Sequence, residues 1–166
     1  MTAMNIGNSN SRMLAEKRAL YLYDQACKKN FLHQFVSVLK QEKNDLLDLQ
    51  DVLPDDMPYQ HRKTIQQTVS LFQIQGSVNN GRTHDFDSQF RPKNQHTKTR
   101  WVSLAAARSL GKNIPPVHLT TVQGIPGLED VYFVEDGHHR ISLAYVMGEQ
   151  NIEAKVTVVY VSGGRA

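Results

Sequence analysis

Five consecutive residues, Asp136-Gly137-His138-His139-Arg140, concentrate more chemistry than any other stretch of the chain. They follow the apolar run Tyr132-Phe133-Val134 and precede a helical pattern carried by Ile141, Ala144 and Tyr145 or Met147. That order predicts a strand, a tight turn and a helix start. A helix start leaves backbone N–H groups without partners and carries partial positive charge, which suits an anion. Gly137 permits a positive φ and a close approach of backbone to ligand. Arg140 can hold a phosphate through two parallel bonds, and His138 and His139 add donors. Glu135, Asp136 and His138 are the candidate acid–base groups beside that phosphate. The plain alternatives are a turn that binds nothing, with Asp136 as the helix N-cap, or Arg140 paired with Asp136 or Glu135 to pin the turn.

A second cluster, His84, Asp85 and Asp87, lies upstream. Asp85 and Asp87 are candidate ligands for Mg²⁺, a cation that favours carboxylate oxygens; equally, they can cap turns of their own loop. Around them runs a basic stretch with Arg82, Arg91, Lys93, His96, Lys98 and Arg100. Arg91 and Arg100 are candidate contacts to a triphosphate or phosphodiester, against the alternative of a solvated loop. Trp101 is expected to pack beneath its helix rather than stack on a base. His138 and His139 are adjacent, so on a helix they point about 100° apart and do not suit one zinc ion together.

These residues need elements to hold them. Val69, Leu71, Phe72 and Ile74 predict a short buried strand ended by Gly76. A polar loop covers residues 79–100. A helix is predicted from Trp101 to Leu110, with Thr97 or Thr99 near its cap and Gly111 closing it. Strands follow at 117–122 and 131–134, joined by a turn with Gly124, Pro126 and Gly127. After the His138 helix, closed by Gly148, the alternation Ile152, Ala154, Val156, Val158, Tyr160 predicts another strand.

The first third reads differently. Residues 1–11 are polar and predict a disordered leader. Residues 12–58 predict a helical region: Ser11 as N-cap, two or three helices between 12 and 53, and a break near Asn30. Its apolar stripes are Met13, Ala19, Leu20, Tyr23 and Cys27, then Phe31, Phe35, Val38 and Leu39. An acidic tract from Glu42 to Asp56 follows, with Pro54 and Pro58 as breakers. The expected organisation is leader 1–11, helical region 12–58, α/β domain 59–160 and flexible tail 161–166.

The chain has 166 residues, a formal net charge of +3 and one cysteine, Cys27. The length suits one domain with an appendage. One cysteine excludes an internal disulfide or cysteine-rich zinc site and points to a reducing cytoplasm. No apolar run approaches the ~18 residues of a membrane span. The mild positive charge permits nucleic acid or nucleotide as partner. The N-terminal stripes leave open a homodimer.

The residues after Val131 resemble the end of the ParB/sulfiredoxin domain. The resemblance rests on Gly137-His138-His139-Arg140 opening a helix, then Gly148, then the strand Ile152-Glu153-Ala154-Lys155-Val156. Upstream, Ile114-Pro115-Pro116-Val117 is similar to that family's Pro-Pro-Val start of a strand. The segment with Asp85-Phe86-Asp87 and Phe90-Arg91-Pro92 looks like bacterial stand-alone ParB-like proteins. About 90 residues are covered. The resemblance implies a small mixed-sheet α+β or α/β domain with an N-terminal helical extension. It implies a nucleoside di- or triphosphate held at Gly137, His138, His139 and Arg140. It does not extend to sulfinic-acid reduction, because His138 stands where sulfiredoxins carry their cysteine. Three functions follow as expectations. The first is nucleotide-dependent phosphoryl transfer or hydrolysis. The second is DNA binding or metal-dependent cleavage, and the third is ligand sensing without catalysis.

Overall fold

The computed structural model describes residues 3–40, 44–53 and 59–161. It is an α+β fold built on one six-stranded mixed sheet. The strands are β1 (Leu47–Asp48), β2 (Tyr59–Ser70), β3 (Ile74–Ser77), β4 (Val117–Gln123), β5 (Tyr132–Asp136) and β6 (Asn151–Val161). Their order is β1-β3-β5-β4-β6-β2. The β1–β3, β3–β5 and β4–β6 pairs are parallel, while β4–β5 and β2–β6 are antiparallel. The helices are α1 (Ala3–Lys40), α2 (Leu49–Val52), α3 (Asn80–Thr83), α4 (Lys98–Ser109) and α5 (His138–Val146).

Alternation along β4 and β6 turns Val117, Leu119, Ala154, Val156 and Val158 into the main core. Ile141 and Ala144 of α5 pack on that face, as do Phe86 and Phe90 from the long loop. Val122 and Phe133 belong to a smaller cluster with Leu49 of α2. Gly76 lies inside β3 rather than ending it. A Cβ there would sit 2.5 Å from the Phe133 ring and 2.6 Å from the Leu47 carbonyl, so β1 and β5 flank it too closely for a side chain. The loop expected over 79–100 contains α3 and a 3₁₀ turn at Gln95–Thr97, and α4 begins at Lys98.

The largest correction concerns the N-terminal region. One continuous helix of 38 residues runs through the expected leader and the expected break near Asn30, and α2 is the second helix within residues 12–53. Ser11 lies within it. Asn30 does not break it: its side chain is buried and donates to the Pro92 carbonyl at 3.2 Å. The buried face is only partly the one expected: Ala19 and Tyr23 are buried and Cys27 packs beside them. Ala15, Ala19, Tyr23 and Ala26 face inward, whereas Met13 and Leu20 are exposed. Small side chains let α1 approach α4, where Ala105 and Ala106 meet it and Trp101 lies edge-on to Tyr23 at 5.6 Å. Tyr23 Oη completes the seam with Thr97 and the Asn94 carbonyl, each at 3.0 Å. The helical region is thus a layer of the fold, and residues 44–53 add β1 to the sheet itself. Glu42, Pro54, Pro58 and the tail 162–166 lie outside the described residues. No helix is long and apolar enough to cross a membrane among the described residues.

Candidate functional site

The strand–turn–helix expected at residues 132–146 is present as β5 and α5. Gly137, not Asp136, is the N-cap, at φ 115°. A Cβ on Gly137 would lie 2.7 Å from Val117 Cγ1, so both conformation and space demand glycine. The turn opens into a cleft of about 480 Å³. Its walls include Arg82, Arg100, Glu135, Gly137, His138 and His139.

Arg140 is engaged within the fold. Its guanidinium donates to the Pro115 carbonyl at 2.9 Å, to the Pro116 carbonyl and to the Asp136 carboxylate. It therefore ties the turn to the chain leading into β4, the rival role foreseen for it, and Asp136 is its ion-pair partner.

Both histidines are buried. His138 Nε2 lies 2.9 Å from Ser77 Oγ, which bridges α5 to the end of β3. Phe86 stacks on the His138 ring at 6.0 Å and meets His139 edge-on at 5.4 Å. Burial, then the Arg82 guanidinium, lowers His138 to about 4. Burial, then Arg100 and Arg82, lowers His139 to about 4. Both rings are neutral near pH 7. His139 Nε2 is buried without a hydrogen-bond partner among the described residues, an arrangement that costs free energy until a partner arrives.

The basic stretch divides. Arg100, at the start of α4, is exposed and makes no ion pair among the described residues. Arg82 reaches the same cleft but pairs with Asp85 at 3.1 Å. Arg91 does not line the cleft. It pairs with Asp87 at 3.3 Å and holds its own loop.

Asp85 and Asp87 are engaged in that loop rather than gathered around a cation. Asp87 is fully buried, and its Oδ1 accepts from the Gln89 and Arg91 backbone N–H groups at 2.9 and 2.7 Å. These bonds hold Phe90 at φ 56°, a left-handed conformation unusual for so bulky a residue. Asp85 accepts from Arg82 and from His96, the latter at 2.7 Å. No group of three or more metal-ligating side chains occurs among the described residues.

Glu135 is exposed at the cleft and accepts a hydrogen bond from Thr120 Oγ1. It is the candidate base with a free approach, since Asp136 is paired with Arg140 and His138 with Ser77. Trp101 is buried and donates to Ser142 Oγ at 2.9 Å, so it offers no stacking face. Sequence reasoning missed Ser77 and Asn79. Ser77 is legible only as a polar residue ending an apolar strand. Asn79 lines the cleft and caps α3 through the Gly81 N–H at 3.0 Å. No protein-family model, curated protein or solved structure matches the chain.

Proposed function

We propose that the protein binds a phosphate-bearing ligand, a nucleoside di- or triphosphate, in the cleft between the starts of α4 and α5. One observation carries this reading. Arg100, a cation without an ion pair among the described residues, shares a cleft with the glycine-capped start of α5 and with His139, whose buried Nε2 has no hydrogen-bond partner among them. An anion there would meet backbone N–H groups, a guanidinium and a neutral imidazole. The volume of about 480 Å³ suits a small molecule and is too small for a duplex. This favours a nucleotide over DNA, and the resemblance to ParB/sulfiredoxin domains points the same way.

The catalytic extension is phosphoryl transfer or hydrolysis, with Glu135 accepting a proton from water or an acceptor hydroxyl. Such transfer depends mainly on positioning and charge stabilisation. Mg²⁺ would come with the phosphates and offset their charge, with Glu135 as its nearest exposed carboxylate. A cytoplasmic setting suits both a nucleotide ligand and a lone cysteine.

Thermal unfolding against a panel of nucleotides, with and without Mg²⁺, tests the binding. A ligand that binds only the folded state raises Tm. A rise with triphosphates but not with nucleosides supports the reading. No shift with any phosphate compound overturns it. Release of inorganic phosphate, abolished by Glu135→Gln while the Tm shift persists, would support the catalytic extension.

A further inference from the structure

The outward face of α1 over residues 31–39 is apolar and uncovered. Phe31 is 70% exposed, Leu32 64%, Phe35 62%, Val38 77% and Leu39 71%. Their spacing places them opposite the face that Asn30 and Ser37 bury. Side chains of this size present on the order of 600 Å² of apolar surface together, more than a typical monomer shows in one patch. That is close to the ~800 Å² per partner that a stable interface buries.

A feature of opposite charge lies beyond the C-terminal end of α1. A cleft of about 1160 Å³ is lined by Leu47, Val52 and Phe72 together with Asp45, Asp48 and Asp51. Asp45 is paired with Lys93, and Asp51 is the exposed carboxylate with no ion pair among the described residues. Phe72 is 83% exposed. Asp48 is buried, and its Oδ2 has no hydrogen-bond partner among the described residues. The exposed charges flanking the helix patch are basic: Lys28, Lys29 and Lys40. Within residues 31–40 there is no acidic residue. Two like patches would bring lysines together, whereas a patch seated on a cleft brings lysines to aspartates and apolar side chains to apolar walls.

We propose that the protein is a two-fold homodimer in which the 31–39 face of α1 in each copy seats on the acidic, apolar cleft of the other. The patch-to-cleft contact then occurs twice and covers both surfaces of each copy, as a two-fold interface requires. Area and charge complementarity select a second copy of this chain as the occupant. The phosphate cleft takes no part, so this proposal stands or falls separately from the ligand reading.

Sedimentation or light scattering of the full chain tests it, with far-ultraviolet circular dichroism to confirm folding. The wild-type chain should have the mass of two copies. Phe35→Asp, an exposed change, should give a folded species of half that mass. Asp51→Lys, on the opposite side of the interface, should weaken the dimer at least tenfold. Adding Lys28→Asp and Lys29→Asp to Asp51→Lys should recover part of the loss. A wild-type monomer overturns the proposal, including one whose α1 face binds anionic phospholipid vesicles. A dimer that tolerates Phe35→Asp, or is indifferent to Asp51→Lys, overturns it too.

Discussion

The loop at residues 84–92 and the turn at residues 136–140 meet through Phe86, yet they treat their polar groups in opposite ways. In the loop, Asp87 Oδ1 answers two backbone donors and its other oxygen answers Arg91, while Asp85 answers Arg82 and His96. At the turn, Arg140 is matched but its surroundings are not: His139 Nε2 lacks a partner and Arg100 stands without an ion pair among the described residues. The loop is finished as a scaffold. The turn has donors and charge left over. Residue type alone does not separate the two cases; where the partners lie does.

Among single substitutions, breaking the finished side should cost most. Asp87→Ala removes a fully buried carboxylate and leaves the part-buried Gln89 and Arg91 N–H groups and the Arg91 guanidinium without this acceptor, and should destabilise the fold by about 3 kcal/mol. Phe90 loses what holds its left-handed backbone, so Phe86 should loosen with it. Chemical denaturation reports the first effect, and hydrogen exchange across 84–92 the second. A loss well below 1 kcal/mol would mean the loop does not depend on this carboxylate.

Acid should act next, through the histidines. Both titrate near 4 in the folded chain, below their ordinary 6.5, so protonation favours the unfolded state. The support from their neutral forms is complete above about pH 6.5 and is lost as the pH falls from there towards about 4. The loss should be on the order of 3 kcal/mol per histidine across that range. Denaturation midpoints measured between about pH 7 and about pH 4.5 should fall, and should fall less when both histidines are replaced by asparagine.

Gly137→Ala forces a positive φ on alanine and drives its Cβ onto Val117. About 2 kcal/mol is expected from strain and displacement together. Ligand binding should fall with it, because the helix start moves. Arg140→Ala should have a smaller effect on the free protein, about 1 kcal/mol, from losing its bonds to Asp136, Pro115 and Pro116. Thermal unfolding without ligand separates these two variants by several degrees.

Strands β4, β5 and β6 were legible in the sequence, through apolar runs at 117–122 and 131–134 and period-two alternation in 152–160. By contrast, β1 and the largely polar 12-residue β2 were not, and the strand expected over 69–74 divides into the end of β2, a 3₁₀ turn at Leu71–Gln73 and the start of β3. Gly137 was legible as well, since a glycine between an apolar strand and a helical pattern has few other uses. The N-terminal helix was misread for a physical reason. Sequence patterning ranks large apolar residues as core, but α1 also buries Ala15 and Ala26 and leaves Met13 and Leu20 exposed to come close to α4, and that requirement belongs to the partner helix. Asn30 was read as a breaker because its buried acceptor, the Pro92 carbonyl, is 62 residues away. The protein partners of Arg140, Asp85 and Asp87 were equally out of view in the sequence. Each is a residue type that binds ligands, and each has protein partners that only the folded chain brings near.

The contrast between Arg140 and Arg100 tests the account most directly. Isothermal titration of the best-binding nucleotide into wild type, Arg100→Ala and Arg140→Ala should be read beside the Tm of each ligand-free protein. Arg100→Ala should keep its Tm within about a degree, as an exposed unpaired side chain does, and lose affinity by about tenfold or more through one charge-assisted contact. Arg140→Ala should lower Tm and change affinity less. An Arg100→Ala protein that binds as tightly as wild type would contradict the assignment of Arg100 to phosphate in this cleft.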